Sequence, residues 1–210
     1  MIRIENICKR ISNNISEELN LGDDQREVIN YGILAFIQMG ICILLVMIFG
    51  LIFDVCEEAL IVAFTISILR KASGGVHASS PGGCAVIGTV ISVGLGLISK
   101  YMIIDFKFVV LGGIFAFIWS YYVVKKLAPV DSPAKPIKNL QKRNRLKKNS
   151  MMILSVYLII VIVEIVSFYF NSTTNALKYS LCICMGMLWQ VFSLTKYGHL
   201  VVRRLDKLFK

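Results

Sequence analysis

The sequence contains little histidine and little proline, and it shows no cleavable signal, internal repeat or low-complexity tract. Of its 210 residues, two are histidines and four are prolines. One histidine close to one cysteine falls short of the three or four ligands that zinc takes, so we predict no metal and no cofactor. The first thirty residues are mixed polar, without the basic start and apolar core of a signal peptide. Repeat pairs of the kind that many transporters show are not visible.

Acidic residues are also few, with 13 against 23 basic ones. Apolar residues make up 56% of the chain, and the mean hydropathy is +0.70. This composition is too apolar for a soluble domain and predicts an integral membrane protein. Most of the six cysteines lie in or near apolar runs, where a disulfide framework has little meaning. We therefore expect five of them to be ordinary packing residues.

The hydrophobic runs predict an all-α polytopic membrane protein, a single membrane domain over residues 1–210 with about six transmembrane helices. Two of the helices are short for a bilayer core of roughly 30 Å, and the loop between them is therefore expected to be sunk below the membrane surface. Residues 1–30 and 198–210 carry apolar and charged faces at helical spacing, which is typical of amphipathic interfacial helices. The predicted membrane segments are 31–53, 55–69, 84–104, 108–124, 151–170 and 177–197, and the two main loops are 70–83 and 125–149.

The basic residues predict the orientation of these segments. All but Lys100, Lys107 and Lys178 fall on one side of the predicted topology. Since Lys and Arg are enriched in cytoplasmic loops, both termini and both main loops are expected in the cytosol.

The loop that ends at Cys84 is the only place where a cysteine and a histidine approach each other in sequence. On a continuous helix, His77 and Cys84 would be about 10.5 Å apart along the axis, too far for a hydrogen bond. The segment Pro81-Gly82-Gly83 argues against a continuous helix, so a hairpin-like turn could bring the imidazole onto the thiol. The apolar run that follows places Cys84 at a helix start, where the dipole and free N–H groups favour a thiolate. We predict that His77 and Cys84 form a catalytic dyad.

This pattern resembles the accessory gene regulator B (AgrB) membrane peptidases. Arg70, Gly75, His77 and Cys84 occur together in a small-residue loop between two membrane segments. The sequence Leu-Ala-Pro-Val-Asp-Ser-Pro-Ala-Lys-Pro-Ile at Leu127–Ile137 is similar to the proline-punctuated cytosolic loop of that family. The length and the order of the hydrophobic segments agree along nearly the whole chain.

The resemblance implies a multi-pass cysteine endopeptidase of the bacterial cytoplasmic membrane. It implies an AgrD-like propeptide as substrate, cleaved at the C-terminal end of its cyclic segment through a thioester at Cys84. It also implies that the enzyme promotes closure of the substrate into a thiolactone ring. It also implies a homodimer in the lipid bilayer, and we expect no nucleic-acid partner. Because AgrB substrates carry an acidic tail, five basic residues of the second loop are candidates to bind it: Lys142, Arg143, Arg145, Lys147 and Lys148.

Other residues keep two interpretations. Arg70 either supports catalysis or only snorkels at a helix end, and Gly74 and Gly75 are expected to meet backbone requirements of the loop. Asp131 is either a third catalytic residue that orients His77 or a residue that favours a turn before Ser-Pro. The intramembrane Glu164 is either functional or paired with a neighbouring basic residue. Ala85 and Val86 are candidate oxyanion donors through their backbone N–H groups, and His199 is expected to be an interfacial histidine without chemistry.

Two functions from other classes remain open at this point. One is a peptide transporter or exporter without covalent chemistry, and the other is a scaffold or lipid-binding module that uses the basic loop and the amphipathic ends. A catalytic Cys84 would react with a thiol probe faster than the other five cysteines, which separates the peptidase from both alternatives.

Overall fold

The computed structural model of the chain describes residues 2–76, 80–102, 105–131, 139–171 and 174–208. Within these ranges the secondary structure is helical, apart from one isolated parallel bridge between Gly74 and Val130. The helices are α1 (Ile2–Glu18), α2 (Asp23–Ile52), α3 (Cys56–Ser73), α4 (Pro81–Tyr101), α5 (Phe106–Leu127), α6 (Leu140–Asn171), α7 (Thr174–Phe192) and α8 (Lys196–Leu208).

Large apolar side chains cover the outside of this bundle. Phe36 of α2, Phe115 of α5 and Phe170 of α6 are each more than two-thirds exposed. A soluble protein rarely exposes so much contiguous apolar surface, whereas a lipid bilayer covers it. The prediction of an all-α polytopic membrane protein is therefore confirmed.

Among the described residues, fewer helices than the predicted six are long and apolar enough on their own to cross a bilayer. Four described helices, α2, α4, α5 and α6, are long and apolar enough to cross a bilayer. Helices α7 and α8 pass the same test only as a pair, and the pair is bent by 94° at the break between them. Helix α3 has 18 residues and carries Glu57 and Glu58 in its first turn and Arg70 and Lys71 in its last, so its apolar stretch is too short to count.

Helix α3 nevertheless lies at the centre of the bundle, where it packs against α2, α4, α6 and α7. Its residues Val62 and Leu69 are fully buried. The hydroxyl of Tyr157, on α6, donates a hydrogen bond of 2.9 Å to the carbonyl of Thr65. This central position holds the last turn of α3, with Arg70, against the helices that form the candidate site.

The basic stretch predicted as a loop is largely helical. Helix α6 begins at Leu140, so the five basic residues proposed to bind a substrate tail lie on its first turns. The side chain of Asn139 accepts hydrogen bonds from the amides of Gln141 and Lys142 and caps the helix. Lys, Arg, Gln and Leu are good helix formers, which accounts for the helical start of a highly charged segment.

The last predicted span is also interrupted. Helix α7 ends at Phe192, and α8 begins at Lys196 with a side-chain hydrogen bond from the amide of Gly198 to the hydroxyl of Thr195. A Cβ at Gly198 would lie 2.0 Å from the carbonyl oxygen of Phe192, so the bend requires glycine there. The amphipathic C-terminal helix expected from the sequence starts two residues earlier than predicted and turns sharply away from α7.

Candidate active site around Cys84

Cys84 lies in the first turn of α4. The helix begins at Pro81, and its N-cap is Ser80, whose hydroxyl accepts a hydrogen bond of 3.1 Å from the amide of Gly83. The amide of Cys84 donates to the carbonyl of Ser80, also at 3.1 Å. A serine cap followed by proline is a favoured way to begin a helix, because proline needs no hydrogen-bond acceptor at that position.

This start lies three residues before the predicted one at Cys84, and it corrects the assignment of the oxyanion donors. Ala85 and Val86 were expected to have unpaired amides because they would begin the helix. They instead lie beyond the first turn, where backbone amides are bonded to carbonyls of the preceding turn. The first turn of the helix contains the amides of Gly82 and Gly83, which precede the intrahelical hydrogen bonds, and the amide of Gly83 is capped by the Ser80 hydroxyl.

Two adjoining cavities, of about 60 and 300 Å³, are both lined by Cys84, Arg70 and Cys42. The larger cavity extends along α2 between Tyr31 and Ile43 and is mainly apolar. The smaller one is closed from the other side by residues of α7 and by Val202 of α8. The half-buried thiol of Cys84 therefore faces an internal space that a peptide segment could enter.

Arg70 connects this space to the loop that follows α3. One terminal nitrogen of its guanidinium donates a hydrogen bond to the carbonyl oxygen of Val76. Its Nε is buried and has no hydrogen-bond partner among the described residues. Arg70 therefore lines the cavities of Cys84 and contacts the loop backbone, while its part in catalysis stays a prediction.

Gly74 and Gly75 adopt backbone conformations that other residues rarely tolerate. Their φ angles are +71° and +128°. A Cβ at Gly74 would lie 2.2 Å from the carbonyl oxygen of Val130. The amide of Val130 in turn donates a 2.9 Å hydrogen bond to the carbonyl of Ser73. The start of the proline segment therefore packs directly on the small-residue loop, although 55 residues separate Gly75 from Val130 in sequence.

The sequence analysis missed three residues of this site. Gln190 on α7 donates hydrogen bonds to the hydroxyl of Ser73 and the carbonyl of Gly74. Ser193 lies against Gly75, and Cys42 lines both cavities together with Cys84. A glutamine inside an apolar membrane segment is a sequence signal for Gln190, because an amide in such surroundings needs a partner. We find no comparable sequence signal for Cys42.

The other predicted residues are placed as follows. His77 lies outside the described residues. Asp131 follows Val130 directly and its side chain is exposed. Glu164 is half-buried on α6 and takes part in neither of the two ion pairs between described residues. His199 is half-buried on α8, and its Nε2 has no partner in the described part of the chain.

The five basic residues at the start of α6 form one group at some distance along the chain from the cavity. Four of them have exposed side chains and the fifth, Lys147, is half-buried. They present a basic helical surface rather than a flexible loop.

Comparison with known proteins agrees with the resemblance. The sequence profile described as accessory gene regulator B matches residues 8–194. AgrB-like protein 2 from Clostridium perfringens (strain 13 / Type A) is 41% identical over 206 residues, which cover 97% of this chain and 96% of the relative. An AgrB-like protein from Clostridium perfringens (strain SM101 / Type A) is also 41% identical with the same coverage. No solved structure matches the chain.

The profile covers the capped start of α4, the Gly74–Gly75 loop, the Val130 contact and Gln190. The match therefore includes the described residues that line the cavities of Cys84, with the exception of Val202 on α8, and the relatives are covered almost completely. The chain therefore belongs to the accessory gene regulator B family, and this membership implies that it takes part in the processing of quorum-sensing peptides.

Proposed function

We propose that this chain is a membrane cysteine endopeptidase that cleaves an AgrD-like propeptide through a thioester at Cys84 and promotes closure of a thiolactone ring. One observation carries the proposal. Arg70 lies in the cavity of Cys84 and bonds the carbonyl of Val76, the residue immediately before His77. The contact links the candidate nucleophile to the chain segment that carries the candidate base.

In the first step His77 takes the proton of the Cys84 thiol. The thiolate attacks the carbonyl carbon at the C-terminal end of the cyclic segment and forms a tetrahedral oxyanion. When the oxyanion collapses, the C–N bond breaks and His77 returns the proton to the leaving amine. The products are an acyl-enzyme thioester at Cys84 and the released C-terminal fragment of the propeptide.

Two groups of the site are suited to stabilise the oxyanion. The guanidinium of Arg70 lines the cavity, and its buried Nε is without a partner in the described structure. The amide of Gly82 lies in the first turn of α4, where backbone amides have no acceptor inside the helix. A fixed positive charge in an apolar cavity acts more strongly on a developing negative charge than it would in water.

In the second step a thiol of the substrate attacks the thioester. His77 takes the proton of the substrate thiol, the acyl group moves from Cys84 to the substrate sulfur, the Cys84 thiolate leaves, and the ring closes as a thiolactone. Hydrolysis of the thioester competes with this step, so the site has to limit the access of water. The mainly apolar wall of the larger cavity supports this part of the proposal.

The basic surface at the start of α6 is proposed to hold the acidic tail of the substrate, with its exposed guanidinium and ammonium groups supplying charge complementarity. Both termini, the Cys84 site and this surface are proposed to share the cytosolic side. Under this arrangement an amphipathic leader of the substrate lies in the membrane plane and delivers the cleavage site along α2 into the larger cavity.

The test is to trap the thioester. Purified protein with Cys42→Ala keeps Cys84 as the only thiol common to both cavities, which removes the main ambiguity of a labelling experiment. With a propeptide whose cyclising Cys is replaced by Ala, we expect an acyl adduct on the peptide that contains Cys84, detected by mass spectrometry and released by hydroxylamine. Cys84→Ala should abolish cleavage while membrane insertion is retained.

Two controls complete this experiment. Cys182→Ala changes a buried cysteine that lines neither cavity, so it should cleave at the normal rate. Transport or scaffold functions predict no adduct and no dependence on Cys84. Normal processing by purified Cys84→Ala would show that the peptidase assignment is wrong.

A further inference from the structure

The C-terminal end of α7 holds the loop that leads to His77. Gln190 is fully buried at this point of the helix. It contacts the end of α3, more than a hundred residues away in sequence. The proposed chemistry gives Gln190 no role, and a polar amide at this depth calls for an explanation.

Both N–H groups of the Gln190 amide are used. Nε2 donates to the hydroxyl of Ser73 at 3.0 Å and to the carbonyl oxygen of Gly74 at 2.8 Å. Because a backbone carbonyl can only accept, the nitrogen and not the oxygen of the amide must face Gly74. The opposite atom, Oε1, is buried and has no partner among the described residues.

Gln190 is one part of a three-sided socket for the residues Ser73–Gly75. Ser193, three residues after Gln190 and just beyond the end of α7, lies so close that a Cβ at Gly75 would be 3.1 Å from its hydroxyl oxygen. That hydroxyl donates back to the carbonyl of Gln190 at 2.7 Å. Val130 closes the other side through its hydrogen bond to Ser73. The loop backbone is therefore held from α7 and from the proline segment at once.

Stability of the fold alone does not explain the amide of Gln190. An apolar side chain of similar size would fill the same space without leaving Oε1 unpaired, and an unpaired buried polar atom lowers the stability of the fold. Hydrogen bonds to a backbone carbonyl fix the path of the loop in a way that apolar packing does not. The choice of an amide at this position therefore indicates a requirement for the position of the loop.

We propose that Gln190 is a positioning residue for the proposed Cys84–His77 chemistry. It acts by fixing Ser73 and Gly74 against the end of α7, and thereby the start of the backbone segment that leads to His77. It has no contact with the reacting atoms in this proposal. The inference rests on the proposed peptidase function, and it predicts that Gln190 affects the chemical step rather than the capture of substrate.

The experiment compares Gln190→Met with Ser180→Ala in the full-length protein. Ser180 is a matched control, since it is also fully buried on α7, and its hydroxyl has no partner within the described residues. We expect Gln190→Met to lower kcat about 10-fold, as the loss of one or two buried hydrogen bonds implies, with KM nearly unchanged. Ser180→Ala should leave both parameters unchanged.

A second readout does not depend on substrate. In the Cys42→Ala background, the alkylation rate of Cys84 by iodoacetamide is measured against pH. If Gln190 helps the loop to place His77 beside Cys84, Gln190→Met should raise the pH at which the alkylation rate of Cys84 increases, towards the pH expected for an unassisted thiol. A merely structural role of Gln190 would change thermal stability and leave the profile where it is.

The coupling of Gln190 to the loop is tested with Ser73→Ala. If both residues act through one contact, adding Ser73→Ala to Gln190→Met should lower kcat no further than Gln190→Met alone. Fully additive losses would contradict the proposed contact. Should Gln190→Met fail to insert, Gln190→Asn carries the same test, because its amide is one methylene too short to keep the 2.8 Å contact and must also lower kcat.

The outcomes separate this inference from the function on which it rests. A folded Gln190 variant with normal kcat and an unmoved alkylation profile overturns the positioning role, while an inactive Cys84→Ala protein keeps the peptidase function in place. Normal processing by Cys84→Ala would overturn the peptidase function itself.

Discussion

The two ends of α3 hold charged groups in opposite settings. At its C-terminal end, Arg70 bonds the backbone of Val76 within a cavity, and Gln190 and Val130 hold the residues beside it. At the other end, just before the helix begins, the carboxylate of Asp54 pairs with Lys100 at 2.8 Å, and the Asp54 side chain is 90% exposed. One end is a socket closed by several elements, and the other is an ion pair whose carboxylate is exposed to solvent.

The hydrogen bonds at the Arg70 end fix the geometry of the loop, whereas the ion pair at Asp54 fixes little of the surrounding structure. Water and salt compete with the exposed pair, so such pairs contribute little to stability. In the socket, a lost hydrogen bond leaves its partner buried and unpaired, and the backbone has to move. The same helix therefore provides an internal comparison in which substitutions at the Arg70 end should have much larger effects than those at the Asp54 end.

Gly74→Ala is expected to have the largest effect. The φ angle of +71° is unfavourable for alanine, and the added Cβ would lie 2.2 Å from the carbonyl oxygen of Val130. Strain of about 1–3 kcal/mol should displace the loop and reduce propeptide cleavage about 10- to 100-fold. Cleavage is measured with purified protein at saturating propeptide, together with the melting temperature in detergent.

Gly112→Ala on α5 is the control for this substitution, because an added Cβ there meets no atom within 4 Å. It should cleave at the normal rate and melt no lower than the unsubstituted protein, since alanine favours a helix over glycine. Equal activity of the two variants would show that the close packing of Gly74 on Val130 is not needed for catalysis.

Arg70→Lys is expected to have an intermediate effect. Lysine keeps the positive charge but lacks the planar group that can bond Val76 with one nitrogen and leave others directed to the cavity. We expect kcat to fall about 10-fold, less than for complete loss of an oxyanion-stabilising donor because the charge is kept, with a smaller change in KM. Lys71→Gln, at the exposed neighbouring position, should cleave normally. Full activity of Arg70→Lys would mean that only the charge matters.

The sequence was sufficient to predict the architecture and the special backbone of the loop. Long apolar runs predict membrane helices whatever their partners are, and the glycines at 74 and 75 indicate the unusual φ angles that the structure shows. The start of α4 was misplaced because Pro81 was interpreted only as a helix breaker. After Ser80 it is instead a favoured first helical residue.

The long-range contacts could not be predicted in the same way. Gln190 reaches Gly74 across the bundle, and hydropathy records only that its neighbours are apolar. Cys42 joins Cys84 at the cavities because α2 and α4 pack together, and one sequence does not specify which faces meet. The cytosolic orientation, the His77 dyad, the role of Asp131 and the homodimer stay predictions.

Asp54→Asn, at an exposed position just before α3, is expected to have the smallest effect. Asparagine has the same shape and tolerates the positive φ of 55° at this position, so the substitution removes the charge and little else. The hydrogen bond from Lys100 lowers the pKa of the Asp54 carboxyl below its ordinary value. Its contribution is therefore present above the pKa of the unfolded chain and is lost as the pH falls through the folded pKa.

The melting temperatures of the unsubstituted protein and Asp54→Asn should consequently differ slightly at pH 7 and converge in acid, below the ordinary pKa range of an aspartate. High salt at pH 7 should bring them together as well, because the pair is screened. Lys100→Gln should show the same small effect, and the double variant should be no less stable than either single one. A loss as large as that of Gly74→Ala, or a difference that grows on acidification, would show that this end of α3 is held as firmly as the socket around Gly74.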